Sequence, residues 1–155
     1  MEFNLNEARE AKKPKQVKPK EEPAKEIDPS APKYKVKFHH CDEFNDTFKD
    51  HFINTPGVDE NLTKFKKSKF ADPLKDYGNK DYPLGNHFEK QVPGILHAGL
   101  THDKSVFYTL SGAGDTRHIH LYGIYGHDEA GIGQPPNIKK QKSLAKKLGN
   151  QEFED

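Results

Sequence analysis

The residues with the most chemistry in this sequence lie between Arg117 and Gly133, in RHIHLYGIYGHDEAGIG. His118, His120 and His127 share that stretch with Tyr122, Tyr125, Arg117, Asp128 and Glu129. Histidine exchanges protons near neutral pH and also ligates transition metals, so two chemistries are open at once. The spacing His118-Ile119-His120 puts both imidazoles on one side of an extended strand, a geometry that suits zinc, iron or nickel. Acid–base work on RNA is the second chemistry. Attack by a ribose 2′-hydroxyl on its own phosphate needs a general base, a general acid and a positive charge on the phosphate. Tyrosine can stack a base, and Arg117 can clamp the phosphate.

The metal expectation weakens at the third ligand. Gly112 followed by His118-Ile-His120 echoes the first half of a cupin motif. The glutamate due three or four residues later is replaced by Ile124 and Tyr125, and Glu129 comes too late. A cupin also needs more strands than this chain offers. A third possibility involves no chemistry at all: an inhibitor or host-interaction module that binds protein through its aromatics and its N-terminal segment.

These side chains need a scaffold. The chain has 155 residues, enough for one domain, with 32% hydrophobic and 32% charged residues and a formal net charge of +1. That balance sets up no global basic field, so any nucleic-acid binding must come from local patches. The single Cys41 forms no internal disulfide and fits a reducing compartment such as the cytoplasm. As the start of an apolar helical stripe it is expected to be a packed thiol rather than a nucleophile. No run approaches the roughly 18–20 apolar residues of a membrane helix, and no apolar signal core is seen at the N-terminus.

Residues 1–33, rich in Lys, Glu, Pro and Ala, are expected to be a disordered charged tail. A compact domain is expected over 34–150, with 151–155 as a C-terminal tail. Tyr34, Val36 and Phe38 alternate with lysines, which predicts a strand. Cys41, Phe44, Phe48 and Phe52 then fall at helical spacing until Asn54-Thr55-Pro56-Gly57. A second helix is expected from about Val58, ending at the latest by Pro73. Three strands follow, around 95–100, 105–110 and 117–125, joined by short turns that make hairpins. Asn137 is placed to cap a last helix with the stripe Ile138, Leu144, Ala145 and Leu148, and Gly149 to follow its end. The order β-α-α-β-β-β-α predicts a small α+β domain, an antiparallel sheet with helices on one face.

Strand alternation then sorts the chemistry. His118, His120 and Tyr122 face away from Ile119 and Leu121, and His97 faces away from Leu96 and Ala98. If helices cover the aliphatic side, these histidines lie on the open side, with Tyr108 and Tyr125 at its margin. An open sheet face is also polar simply because it meets water. The basic runs KFKKSK, which includes Lys64, Lys66 and Lys67, and KKQKSLAKK, which includes Lys139, Lys140, Lys142 and Lys146, are positioned to guide an RNA backbone; lysines are equally ordinary on solvated helix faces.

The element order is similar to that of the RelE/ParE superfamily of toxin–antitoxin systems. ILHAGL, SVFYTLSG and HLYGIYGHDEAG followed by NIKKQKSLAKKL resemble that family's sheet strands, polar turn and closing basic helix, nearest to the YafO-like mRNA interferases. The resemblance covers 34–149 as topology and 95–148 as sequence. It implies a small cytoplasmic endoribonuclease that cuts mRNA, on the ribosome or off it, and is held inactive by a cognate antitoxin; with the third metal ligand missing, the cleavage is expected to need no metal or other cofactor. Carried onto this chain it selects His97, Tyr108, Arg117, His120, Tyr125 and His127. His97 or His120 is expected as general base, His127 as general acid, Arg117 on the phosphate, and Tyr108 and Tyr125 positioning the RNA. The long tail and the low net charge depart from the family's pattern, and ParE-type members of the same fold bind gyrase instead of cutting RNA.

Overall fold

A computed structural model of the chain describes residues 34–77 and 80–154; the expected tail over 1–33 lies outside the described residues. The elements run β1 (Lys35–Cys41), α1 (Asp42–Asn54), α2 (Val58–Ala71), β2 (Tyr82–Pro83), α3 (Asn86–Glu89), β3 (Leu96–Gly99), β4 (Lys104–Ser111), β5 (Thr116–Gly126), α4 (His127–Ala130), α5 (Ile138–Gly149) and β6 (Phe153–Glu154). The seven main elements keep the expected order, and the class is α+β around a single sheet. Among the described residues the sheet has six strands in the order β2-β3-β4-β5-β1-β6.

Two features differ from the expected architecture. First, the sheet is mixed. β3, β4 and β5 form the antiparallel meander, but β1 lies parallel beside β5, Lys35 opposite Thr116 and His40 opposite Leu121. No hairpin joins β1 to its neighbour, and the intervening helices and strands let the chain return in the same direction. Second, helices pack on both faces. Val106, Tyr108, Ile119 and Leu121 join Phe44 of α1 and Val58, Leu62 and Phe65 of α2 in one core. Phe107 alternates to the opposite face. There it joins Tyr125, Phe88 of α3 and Leu144, Ala145 and Leu148 of α5 in a second core. Phe153 and Glu154, expected within a tail, instead extend the sheet beside Cys41 and His40.

The local causes are visible. Asp42 and Glu43 sit in the first turn of α1, where carboxylates favour the helix dipole, and Gly57, at φ 92°, makes the left-handed entry to α2. Asn137 caps α5 by accepting from the Lys140 N–H at 3.0 Å, and Gly149 is the helix's last residue rather than the one beyond it. In β5 the register slips by one residue, because Phe107 pairs with Gly123 and Tyr108 with Leu121. Tyr122 is the extra residue of that bulge. Past the end of β1, the Thr47 hydroxyl of α1 accepts from the Ile124 N–H at 3.0 Å, so the helix takes over the partner role that the strand has left. Cys41 is packed as expected, its thiol beside the Leu121 carbonyl and pushed up by burial.

The chain just before β2 is tied to α2 by a buried ion pair. The Lys69 ammonium lies 3.0 Å from the Asp81 carboxylate, and both side chains are fully enclosed. Asp81 also accepts from the Tyr108 hydroxyl and, at 2.9 Å, from the Tyr77 N–H. The Lys69 ammonium donates to the Lys75 carbonyl and lies over the ring of Tyr108. Every charged atom in this knot therefore has a partner, which is the condition for burying it.

Candidate functional site

The structure brings His97 and His127 together at one end of the sheet. His97 comes from β3, between Tyr82 of β2 and Phe107 of β4. His127 opens α4 directly after β5 and is exposed. Their ring centroids are 5.6 Å apart, edge to face. The His97 Nδ1 lies 3.0 Å from the Tyr82 carbonyl, which can only accept a hydrogen bond. Nδ1 therefore carries the proton, and Nε2 is left as the basic nitrogen. Burial holds the His97 imidazole below its usual range; the Tyr82 carbonyl acts in the other direction and the neighbouring His127 lowers it again. The ring is thus neutral at physiological pH.

His127 is held by its own turn. The Glu129 carboxylate reaches back to the Gly126 N–H at 2.6 Å, and the Lys104 ammonium stands 3.4 Å from Glu129. Beyond His127 a cleft of about 380 Å³ is bounded by Asp128, the loop 131–137 and Lys140, whose ammonium reaches the Asp128 carbonyl at 3.2 Å.

The remaining histidines of the sheet form a separate group. His39 of β1 stacks on His120 at 4.5 Å and on His118 at 5.1 Å, with its Nε2 2.9 Å from the His118 Nδ1. His120 also meets the edge of Phe153 at 4.8 Å. His120 pairs with Thr109, whereas His97 pairs with Phe107 on the far side of β4. Of the two residues expected as base, only His97 stands beside His127. Sequence inspection missed His39, because nothing in the alternation of KVKFHH says that its strand lies next to the last one. Among the described residues, no group of three or more His, Cys, Asp or Glu could hold a metal ion.

Three expected participants lie elsewhere. Arg117 alternates with His118 and so shares the face of Ile119. Its guanidinium sits 4.6 Å from the centre of the Tyr34 ring and donates to the Gly114 and Thr116 carbonyls at 2.8 and 3.0 Å. It is at the opposite end of β5 from His127, roughly 30 Å along an extended strand. Tyr108 is not at an open margin, because its ring is fully buried in the first core and its hydroxyl is committed to Asp81. Tyr125 is likewise buried in the second core, where its hydroxyl donates to Glu43, which also faces the Lys147 ammonium at 3.4 Å. Burial first, and the adjacent carboxylate second, hold both phenols far above their ordinary range, so neither gives up its proton.

The basic runs are divided between the faces. Lys139, Lys140, Lys142 and Lys146 are exposed on α5, which packs on the same side as α4 and His127. Lys64 and Lys67 are exposed on α2, across the sheet, and Lys64 stands 3.6 Å from Glu60. Lys66 is half-buried over the Phe38 ring, 3.4 Å from the His40 Nε2, and burial lowers its proton affinity. Lys69, the last lysine of KFKKSK, is the buried partner of Asp81.

No family model matches the chain, and no curated protein matches it. Among solved structures, it is similar to a YoeB/ParE toxin from Agrobacterium tumefaciens, with a TM-score of 0.47 and 16% identity, over 60% of this chain and 98% of that one. Among the described residues, no helix is long and apolar enough to cross a membrane.

Proposed function

We propose that this chain is an endoribonuclease of the toxin–antitoxin type, cutting RNA by transesterification without a metal, with His97 as general base and His127 as general acid. The observation that carries the reading is the pairing of these two rings at 5.6 Å, with the Nε2 of His97 left basic by the Tyr82 carbonyl. The Nε2 of His97 takes the proton of a ribose 2′-hydroxyl as its oxygen attacks the adjacent phosphorus. The bond from phosphorus to the 5′-oxygen of the next nucleotide breaks, and His127 gives that oxygen its proton. The products are a 2′,3′-cyclic phosphate and a free 5′-hydroxyl, and no other reactant is needed. Lys140, beside His127, replaces Arg117 as the group that meets the phosphate charge, with Lys139, Lys142 and Lys146 along the same helix drawing in the backbone. Tyr82, exposed beside His97, offers a ring on which a base can stack.

In this reading the substrate is mRNA, free or on the ribosome, in the cytoplasm, and an antitoxin silences the enzyme, as the sequence resemblance implies. The test is cleavage of a labelled mRNA by the full chain, with and without ribosomes and with and without EDTA. Cleavage that leaves 2′,3′-cyclic phosphate ends, survives the chelator and disappears in His97→Ala and His127→Ala supports it. Absence of cleavage under all conditions, or full activity in both variants, overturns it.

A further inference from the structure

Beside β1, on the side of α1 and α2, stands a trio of groups that the nuclease reading does not use. The His40 ring, near the end of β1, stacks on Phe44 of α1 at 5.1 Å. Its Nε2 lies 3.4 Å from the Lys66 Nζ of α2, which itself sits 5.8 Å from the centre of the Phe38 ring. Glu154 of β6 is paired directly opposite His40, so the two side chains leave the sheet on the same side. An amine, an imidazole within its reach and a carboxylate beside the imidazole follow the order of a nucleophile, its base and the group that supports the base. Burial lowers the proton affinity of Lys66. Burial first, and then the Lys66 charge, lower that of His40, which Glu154 raises and His39 lowers again. A larger share of Lys66 is therefore free amine than of a solvated lysine at the same pH.

We propose that Lys66 is an acyl-acceptor site, taking a small acyl group from a thioester with His40 as its base. The Nζ lone pair attacks the carbonyl carbon of the thioester. The His40 Nε2 takes the ammonium proton of the adduct, the bond from carbon to sulfur breaks, and the imidazolium returns the proton to the departing thiolate. The products are an amide on Lys66 and a free thiol, and no electrons change hands. An acyl group the size of acetyl suits an amine that is half-buried over a ring. The amide is uncharged, so acylation removes one cation from KFKKSK and relieves His40 of the charge beside it. Lys64 and Lys67 of the same helix are exposed and serve as internal references. The trio is separate from His97 and His127, so the inference stands or falls apart from the nuclease reading.

The test incubates the full chain with the acetyl thioester of N-acetylcysteamine at about pH 8, where ordinary lysines are almost wholly protonated. Initial rates at Lys64, Lys66 and Lys67 are read by mass spectrometry after cleavage at glutamates, which leaves the three lysines in one peptide. Lys66 should be acetylated about tenfold or more faster than the other two. In urea that unfolds the chain the three rates should converge, because the advantage belongs to the fold and not to the local sequence. His40→Ala, with circular dichroism confirming that it is folded, should bring Lys66 down to the rate of its neighbours. Equal rates at the three lysines in the native chain overturn the inference. So does an advantage of Lys66 that persists in urea or in the folded His40→Ala variant.

Discussion

Replacing Asp81 with alanine should be among the most damaging single changes in the described fold. The Lys69 ammonium is only 2% exposed, and the Asp81 carboxylate 3.0 Å away is its anionic partner. At an effective dielectric constant near 20, that separation corresponds to an attraction of about 5–6 kcal/mol. The change also strips the Tyr108 hydroxyl and the Tyr77 N–H of their acceptor. Breaking a buried pair of this kind costs roughly 3–5 kcal/mol, because an uncompensated charge is left inside. For a domain of this size that lowers Tm by roughly 10–20 °C. The assay is thermal and urea unfolding followed by circular dichroism and by tyrosine fluorescence, the chain having no tryptophan. A double variant, Lys69→Met with Asp81→Asn, keeps an acceptor for Tyr108 and removes the charge. It should be more stable than Asp81→Ala by at least about 1–2 kcal/mol. A loss below about 1 kcal/mol in Asp81→Ala, or a double variant worse than the single one, would refute the claim that this ion pair ties the chain at Asp81 to α2.

Other outcomes follow from the site and its supports. His97→Ala and His127→Ala should each lower RNA cleavage by roughly 10²–10⁴-fold, whereas Arg117→Ala and His120→Ala, away from the pair, should change the chemical step little; single-turnover cleavage measures both. The depressed proton affinity of His97 gives cleavage an acid limb below the usual histidine midpoint, and mutation of His127 should move that limb upward. Stability has the same sign. His97 and His40 take up protons less readily folded than unfolded, so their contribution is intact above about pH 6.5 and lost as pH falls through their folded values, which unfolding at pH 7.5 and 5.5 compares. Gly131→Ala should destabilise the fold by more than about 1 kcal/mol in the same unfolding assay. Its φ is +74° and a Cβ there would lie 2.4 Å from the Asn137 carbonyl oxygen.

Local pattern made most of the elements legible. The lysine alternation of KVKFHH gives β1, the helical recurrence of Phe44 and Phe48 gives α1, although Cys41, expected to open that stripe, closes β1 instead, and Asn137 marks the start of α5 within a residue. Phe52 continues the apolar period of α1 and yet is exposed, since a periodic stripe says which residues share a side but not how far the core extends. What sequence could not supply was pairing across long separations. The position of β1 beside β5 decides that His39 joins His118 and His120, and that Arg117 meets Tyr34. The bulge at Tyr122 is equally silent; by resetting alternation within one strand it turns Ile124 to the side of Ile119 and Leu121 and Tyr125 to the opposite core, the reverse of what unbroken alternation gives. Lys69 looked like one more surface lysine because its buried partner, Asp81, lies in a stretch that reads as a polar loop. Of the candidate site, the histidines at 97 and 127 were legible as residue types, but only the folded sheet puts them side by side.

The parallel junction of β1 and β5 also governs the order in which the molecule can assemble. Its paired residues are about eighty positions apart in the chain, whereas the α1–α2 pair and the β3–β4–β5 meander close over short distances. Long loops close late, so the local units form first and β1 waits as a bare edge until β5 exists beside it. Phe153 and Glu154, more than a hundred positions from their partners in β1, close an even longer loop. A waiting edge strand invites pairing with other chains, and lysines alternating along it oppose that. Lys35 and Lys37 occupy those positions in β1 and both are exposed, which casts them as guards of the nascent strand, on duty before the sheet is closed.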